Sequence, residues 1–259
     1  MKLMINHQTH YHYTDAVHNS IQAIRMSPSS NTHQQVQYWD VSVPGEKVLQ
    51  QDAFGNVTIT SSQRFGYQQM SIMAQGIIEI QTETEHMPHH GMHPSIFLQQ
   101  TETTHCSLEM LEFAKHHVRI PCRQQLIHLA GAILDHMPYI PLTTSVLTSA
   151  PQAFVQRKGV CQDHSHVFIA MCRALGLPAR YVSGYLFVPN SSHLASHAWA
   201  EVFLDNHWYS FDVSNQIFTP SSHIYVAVGR DYWDVAPVRG VRAQGGIESM
   251  HSIVQVLAC

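Results

Sequence analysis

The hydrophobic period changes partway along the chain, and that change limits the architectures open to it. Through residue 85, apolar and polar residues alternate or gather in β-branched runs over 2–13, 17–26, 34–43, 56–65 and 67–85. Pro28, Pro44-Gly45, Gly55-Asn56, Gly66 and Gly76 punctuate these runs. Alternation puts successive side chains on opposite faces of a strand, and short punctuated strands stack into sheets. Residues 1–85 are therefore expected to form an all-β, sandwich-like N-terminal domain. No catalytic motif is visible in it, so a structural or recognition role is expected.

From residue 107 the period becomes helical. Leu108, Leu111 and Lys115 share a face behind Ser107, an expected N-cap. Leu126, Ile127, Ala130, Ile133, Leu134 and Met137 form a second stripe, ended by Pro138. A short helix is expected from Ser149 to Lys158, stopped by Gly159. Val167, Phe168, Met171, Ala174 and Leu175 make a further stripe, closed by Gly176 and Pro178. Strands follow over 180–188, 197–204, 207–212 and 223–228. The second half, 101–259, thus reads as an α+β domain with helices packed on an antiparallel sheet. Between the halves, His86-Met87-Pro88-His89-His90-Gly91-Met92-His93-Pro94-Ser95 carries two prolines and a glycine, which interrupt regular structure. Residues 86–100 are expected to be a linker.

Composition narrows the function classes. The chain has 259 residues, enough for one large core or two modest ones. Charged residues are only 12% of it, about half of the ~25% usual share, while histidine occurs 21 times. A net charge of −4 argues against a nucleic-acid partner. No apolar run approaches ~18 residues, so no membrane span is expected. The five cysteines are scattered, odd in number and without a C-x-x-C pair, which fits neither a disulfide framework nor a thiolate zinc site. A cytoplasmic protein with reduced thiols and no metal or cofactor is expected. The histidines are expected mostly on solvated surface. Cys161, His164 and His166 form a C-x-x-H-x-H string, but on a helix 161 and 166 point about 140° apart, which disfavours a shared metal.

Cys161 stands out by position. It follows Gly159-Val160 at the first turn of the expected helix, where free N–H groups and the positive end of the helix dipole favour a thiolate. Leu204-Asp205-Asn206-His207 reads as a tight hairpin. A two-residue loop pairs Leu204 with His207, so that Trp199 faces Asp212 and His197 faces Ser214. His197 and Asp212 then lie diagonally on one face, within reach of each other. Such an imidazole can take the thiol proton while the carboxylate fixes its tautomer and orientation. The Cys161 N–H is the natural first oxyanion donor. Tyr139, Gln162 and Trp199 are candidates for a second, and His164, one turn beyond Cys161, is placed to touch the site. Asp163 is expected to cap the helix, and Arg230 and Asp231 to form a structural ion pair.

These motifs resemble a known family. Arg157-Lys158-Gly159-Val160-Cys161-Gln162-Asp163-His164-Ser165-His166 resembles the nucleophile segment of transglutaminase-like cysteine enzymes. Ala195-Ser196-His197-Ala198-Trp199-Ala200-Glu201-Val202 resembles their histidine strand, and Trp208-Tyr209-Ser210-Phe211-Asp212 their aspartate strand. Gln22–Pro28, Asp52–Asn56, Ala174–Tyr185 and Val228–Gly240 resemble further segments of the bacterial group with an N-terminal β-domain. The resemblance implies a papain-like α+β core, with the cysteine on a helix and the other two residues on adjacent strands. It departs where the aspartate is followed by Val213-Ser214-Asn215 rather than Pro-Thr-Asn, and at His164, where the family commonly has an apolar or aromatic residue.

Three functions are compatible with these residues. A thiol peptidase or amidase would resolve an acyl-enzyme with water. A transglutaminase would resolve it with an amine, and a peptide-binding module would not react. No calcium loop of the D-x-[DN]-x-[DN]-G type is present, unlike calcium-dependent enzymes. The expected partner is a peptide, protein or other amide substrate.

Overall fold

The computed structural model describes residues 1–89, 91–189 and 196–259. Five strands come first: β1 (Lys2–Ser27), β2 (Gln34–Ser42), β3 (Glu46–Gln51), β4 (Val57–Gln63) and β5 (Tyr67–Ile80). A two-residue strand β6 (Met87–Pro88) and a 3-10 turn (Pro94–Leu98) lead to helices α1 (Leu108–His117), α2 (Arg123–His136), α3 (Ala150–Gln156) and α4 (Cys161–Ala174). Then come β7 (Ala179–Leu186), β8 (His197–Leu204), β9 (His207–Phe211), β10 (His223–Gly229), α5 (Tyr232–Val235), β11 (Val238–Gln244) and β12 (Glu248–Ala258).

The long strand β1 organises the N-terminal sheet. Its first half lies between β5 and β12, its second between β4 and β11, all antiparallel. Inward residues Leu3 and Ile5 pack with Ile78, Ile80, Val254 and Val256 against Tyr185 and Ile224 of the second sheet. The fold is a large β region followed by helices packed on an antiparallel sheet, as the change of period implies.

Three expectations are corrected. The segment 101–259 does not stay together, because β11 and β12 return to the N-terminal sheet and pair with β1. Strand β3 was not expected. All six of its residues are exposed, so no alternation of burial marks it in the sequence. The supposed linker is packed: Met87 pairs with Trp208 of β9, and Phe97 buries against the Trp208 ring. His90 of that segment lies outside the described residues, as does Ala195 at the head of the histidine segment.

Helix α4 is the centre of the second half. It contacts α1, α2 and α3 as well as β7 and β8. Every residue from Asp163 to Arg173 is buried, as a helix enclosed on all sides must be. Its start is tightly specified. Asp163 accepts a hydrogen bond from the Val160 N–H at 2.8 Å and another from the Thr144 hydroxyl at 2.7 Å, the expected capping role. A Cβ at Gly159 would sit 2.7 Å from the Asp163 Cβ, so only glycine permits this approach.

The second sheet runs β10-β7-β8-β9-β6, which leaves β10 at an edge. Side chains of the N-terminal domain satisfy that edge. Gln34 donates to the Tyr225 carbonyl and accepts from its N–H, both at 2.8 Å. Asn56 does the same with Val228, also at 2.8 Å. Asn56→Ala leaves both Val228 groups unpaired in a partly buried place. The expected loss is about 2–3 kcal/mol, read as a lower urea midpoint at unchanged slope.

Near the end of β10, Arg230 pairs with Asp234 at 2.8 Å and not with its neighbour Asp231. Asp231 instead caps α5 through the Trp233 N–H and accepts from Thr103 at 2.9 Å. The histidines are also more buried than expected. His7, His33, His164, His166 and His223 have almost no exposed surface.

Candidate active site

The hairpin sets the geometry. Asp205 and Asn206 both adopt positive φ, 47° and 67°, as a two-residue turn with the right twist requires. The ladder then runs in the expected register from Leu204–His207 to Ala200–Phe211. Beyond Phe211 the expected pairs Trp199–Asp212 and His197–Ser214 do not form. Asp212 instead bridges to Ile217, closing a turn. His197 and Asp212 still meet, with His197 Nε2 2.7 Å from Asp212 Oδ2. This leaves Nδ1 as the imidazole nitrogen free for Cys161. Cys161 is the first residue of α4, where backbone N–H groups have no intrahelical partner.

Cys161 and His197 line one cavity of about 380 Å³, together with Tyr139, Leu186, Val188, Ser196, Ser214 and Asn215. A larger cavity of about 460 Å³ is walled by Glu102, His105, Trp233 and Arg239 and contains none of these groups.

The electrostatics favour an ion pair. Burial alone would lower the His197 pKa, but hydrogen bonds to Asp212 and Cys161 outweigh it and push it up to about 10. Burial would raise Asp212, yet hydrogen bonds from His197 and His223 hold it well below the usual carboxylate range. Asp212 has no exposed surface. Its Oδ2 accepts from His197, from Asn215 Nδ2 at 2.9 Å and from His223 Nε2 at 3.1 Å. The Asn215 backbone N–H reaches Oδ1 at 3.2 Å.

His223 and Asn215 were not expected here. The Asp-x-x-Asn spacing is a usable signal for Asn215, since such residues close Asx-type turns. His223 carries no local signal. With Nε2–H donating to Asp212, its Nδ1 is left as a buried acceptor without a partner. Such an atom costs about 1–3 kcal/mol. Burial accordingly lowers the His223 pKa despite the adjoining carboxylate.

The remaining candidates are dispersed. Tyr139, half-exposed, shares the cavity with Cys161. Gln162 is partly buried beside the thiol and is not part of the cavity wall. His164 has no exposed surface, and both its nitrogens are engaged, with the Met137 carbonyl at 2.7 Å and Ser214 Oγ at 2.8 Å. Trp199 is also fully buried, its ring 4.6 Å from His223 and 6.0 Å from His197. Neither His164 nor Trp199 therefore reaches a substrate in the cavity. Among the described residues, His197, Asp212 and His223 are the group close enough to hold a metal ion, but their facing atoms already bond one another.

Comparison with known proteins identifies the fold and the family. An uncharacterized protein of Mycobacterium leprae is 28% identical over 278 residues, spanning 98% of each chain. An uncharacterized protein of Mycobacterium tuberculosis H37Rv is 26% identical over 271 residues, spanning 92% of this chain and 86% of its own. A solved structure from Cytophaga hutchinsonii, a proposed cysteine protease, shares the fold with a TM-score of 0.80 at 23% identity. It covers 100% of this chain and 91% of that one. Residues 117–213 match the transglutaminase-like superfamily, and residues 3–79 match the bacterial transglutaminase-like N-terminal region. With both matches in order along one chain, it belongs to the transglutaminase-like superfamily, in the bacterial group that carries this N-terminal region.

Proposed function

We propose that the chain is a cysteine peptidase or amidase working through Cys161, His197 and Asp212. The observation that carries the reading is the 2.7 Å His197–Asp212 contact beside a thiol at the head of a buried helix. His197 takes the Cys161 proton, and the thiolate attacks the amide carbonyl carbon. The Cys161 N–H receives the developing oxyanion, with the Tyr139 hydroxyl as the second donor available in the cavity. The C–N bond breaks as His197 returns the proton to the leaving amine, leaving a thioester. Water then adds to the thioester, giving up its proton to His197, and the thiol leaves with the carboxylic acid released. Among the described residues, the cavity wall has no ionisable side chain besides His197, the Cys161 thiol and the Tyr139 phenol, which favours an uncharged acyl group.

A screen of peptides and of γ-glutamyl and isopeptide amides, with and without a primary amine, tests this. Hydrolysis is expected to dominate in every case. Amine incorporation outpacing hydrolysis would make the protein an acyltransferase.

A further inference from the structure

We propose that His223 is a positioning residue for the Asp212 carboxylate, held in place by the N-terminal domain through His33. This rests on the triad reading above. Asp212 has no exposed surface, so its orientation depends wholly on protein donors. Two of them, His197 and Asn215, sit on the cavity side and line its wall. The third, His223, approaches Oδ2 from the fully buried side at 3.1 Å. It therefore pins the oxygen that His197 must find, while substrate and solvent disturb the other two.

What fixes His223 lies in the other domain. It is the first residue of the edge strand β10. On one side β10 pairs with β7, His223 opposite Leu186. On the other, His33 Nε2 donates to the His223 carbonyl at 2.9 Å, and Gln34 clasps the Tyr225 backbone two residues on. His33 and Gln34 are almost completely buried, so this is an interior joint. The His223 ring also packs against Trp199, which lies beneath His197. The groups that bear on His223 electrostatically are Asp212, His197 and Glu201, and His33 faces it from the N-terminal domain. The domain that bears no catalytic motif thus reaches the triad through two imidazoles.

The consequence is a change in thiolate chemistry. A loosened Asp212 supports the imidazolium less, so the Cys161 thiolate forms at higher pH. Site-resolved iodoacetamide labelling across pH 5–9 reads this without any substrate, with exposed Cys122 as the internal reference. His223→Phe is expected to move the onset of Cys161 labelling up by about one pH unit, or about tenfold in rate at a fixed lower pH. His223→Gln, which keeps an N–H donor, is expected to recover most of that shift. His33→Ala is expected to shift the onset in the same direction by less. If wild-type Cys161 labels no faster than Cys122, the triad reading itself fails. If wild-type Cys161 labels fast and folded His223→Phe keeps the same onset, His223 is not a positioning residue and the triad stands. Equal shifts in the folded Phe and Gln variants also overturn the proposal. Should His223→Phe not fold, an unshifted onset in His33→Ala overturns it.

Discussion

Cys161→Ala is expected to abolish turnover, with a loss on the order of 10⁶-fold in kcat. The size follows from the lack of a substitute. Cys172 is fully buried, and burial pushes its thiol far above the ordinary value. Burial pushes Cys106 up to about 11. Cys122 and Cys259 are exposed, and neither lines the cavity that holds His197. The side chain is small, and the fold around it stands on α4, whose buried face begins at Asp163. The variant is therefore expected to keep its melting temperature within a degree or two and still to bind substrate. Amide hydrolysis and the mass of a trapped thioester adduct check this. Activity at the wild-type level in folded Cys161→Ala would remove the nucleophile from Cys161.

How much of this was legible depended on distance along the chain. The β8–β9 register was readable because one hairpin sets it, with Asp205 and Asn206 at its tip. The start of α4 was readable from Gly159 and the apolar stripe that follows. Both signals are local. His223 was not readable, because its contact with Asp212 depends on β10 crossing to pair with β7. Nothing near residue 223 encodes that choice. The same holds for β11 and β12, whose partner β1 lies more than 200 residues away. Neither carries a strand signal along most of its length, since β11 is largely exposed and β12 alternates in burial only around Val254 and Val256. Histidine burial is not encoded locally for a related reason. An imidazole goes inside when a partner is waiting, as Met137 is for His164 and Tyr185 for His7, and only the tertiary fold supplies the partner. The break in pairing after Phe211 was hidden too, because strand alternation continues smoothly to Asp212 while the turn depends on Asn215 reaching back.

Asp212→Asn is expected to lower kcat by about 10⁴-fold, as loss of the orienting carboxylate does in other triads. The amide offers His197 Nε2 an N–H where the carboxylate accepted one. The imidazole proton then moves to Nδ1, the nitrogen that must take the thiol proton, and the base is blocked. His197 also loses the partner that outweighs its burial, so the alkaline limb of the pH profile should fall from about 10. Stability carries a second signature with a definite sign. Asp212 is depressed below its ordinary 3.8, so its contribution is present above that value and lost as pH falls. His197 is raised above its ordinary 6.5, so its share is present below that value and lost as pH rises toward about 10. The stability deficit of Asp212→Asn relative to wild type is therefore expected to be largest between these ordinary values, near pH 5, and to shrink on both sides. Asp212→Ala should be less stable still, because the buried His223 N–H then has no acceptor, at about 1–3 kcal/mol. Thermal melts and kcat measured across pH 3–10 check the two signatures together. A folded Asp212→Asn variant within tenfold of wild-type kcat would show that His197 works without its carboxylate. A stability deficit flat in pH would show instead that the pair is not charged in the folded protein.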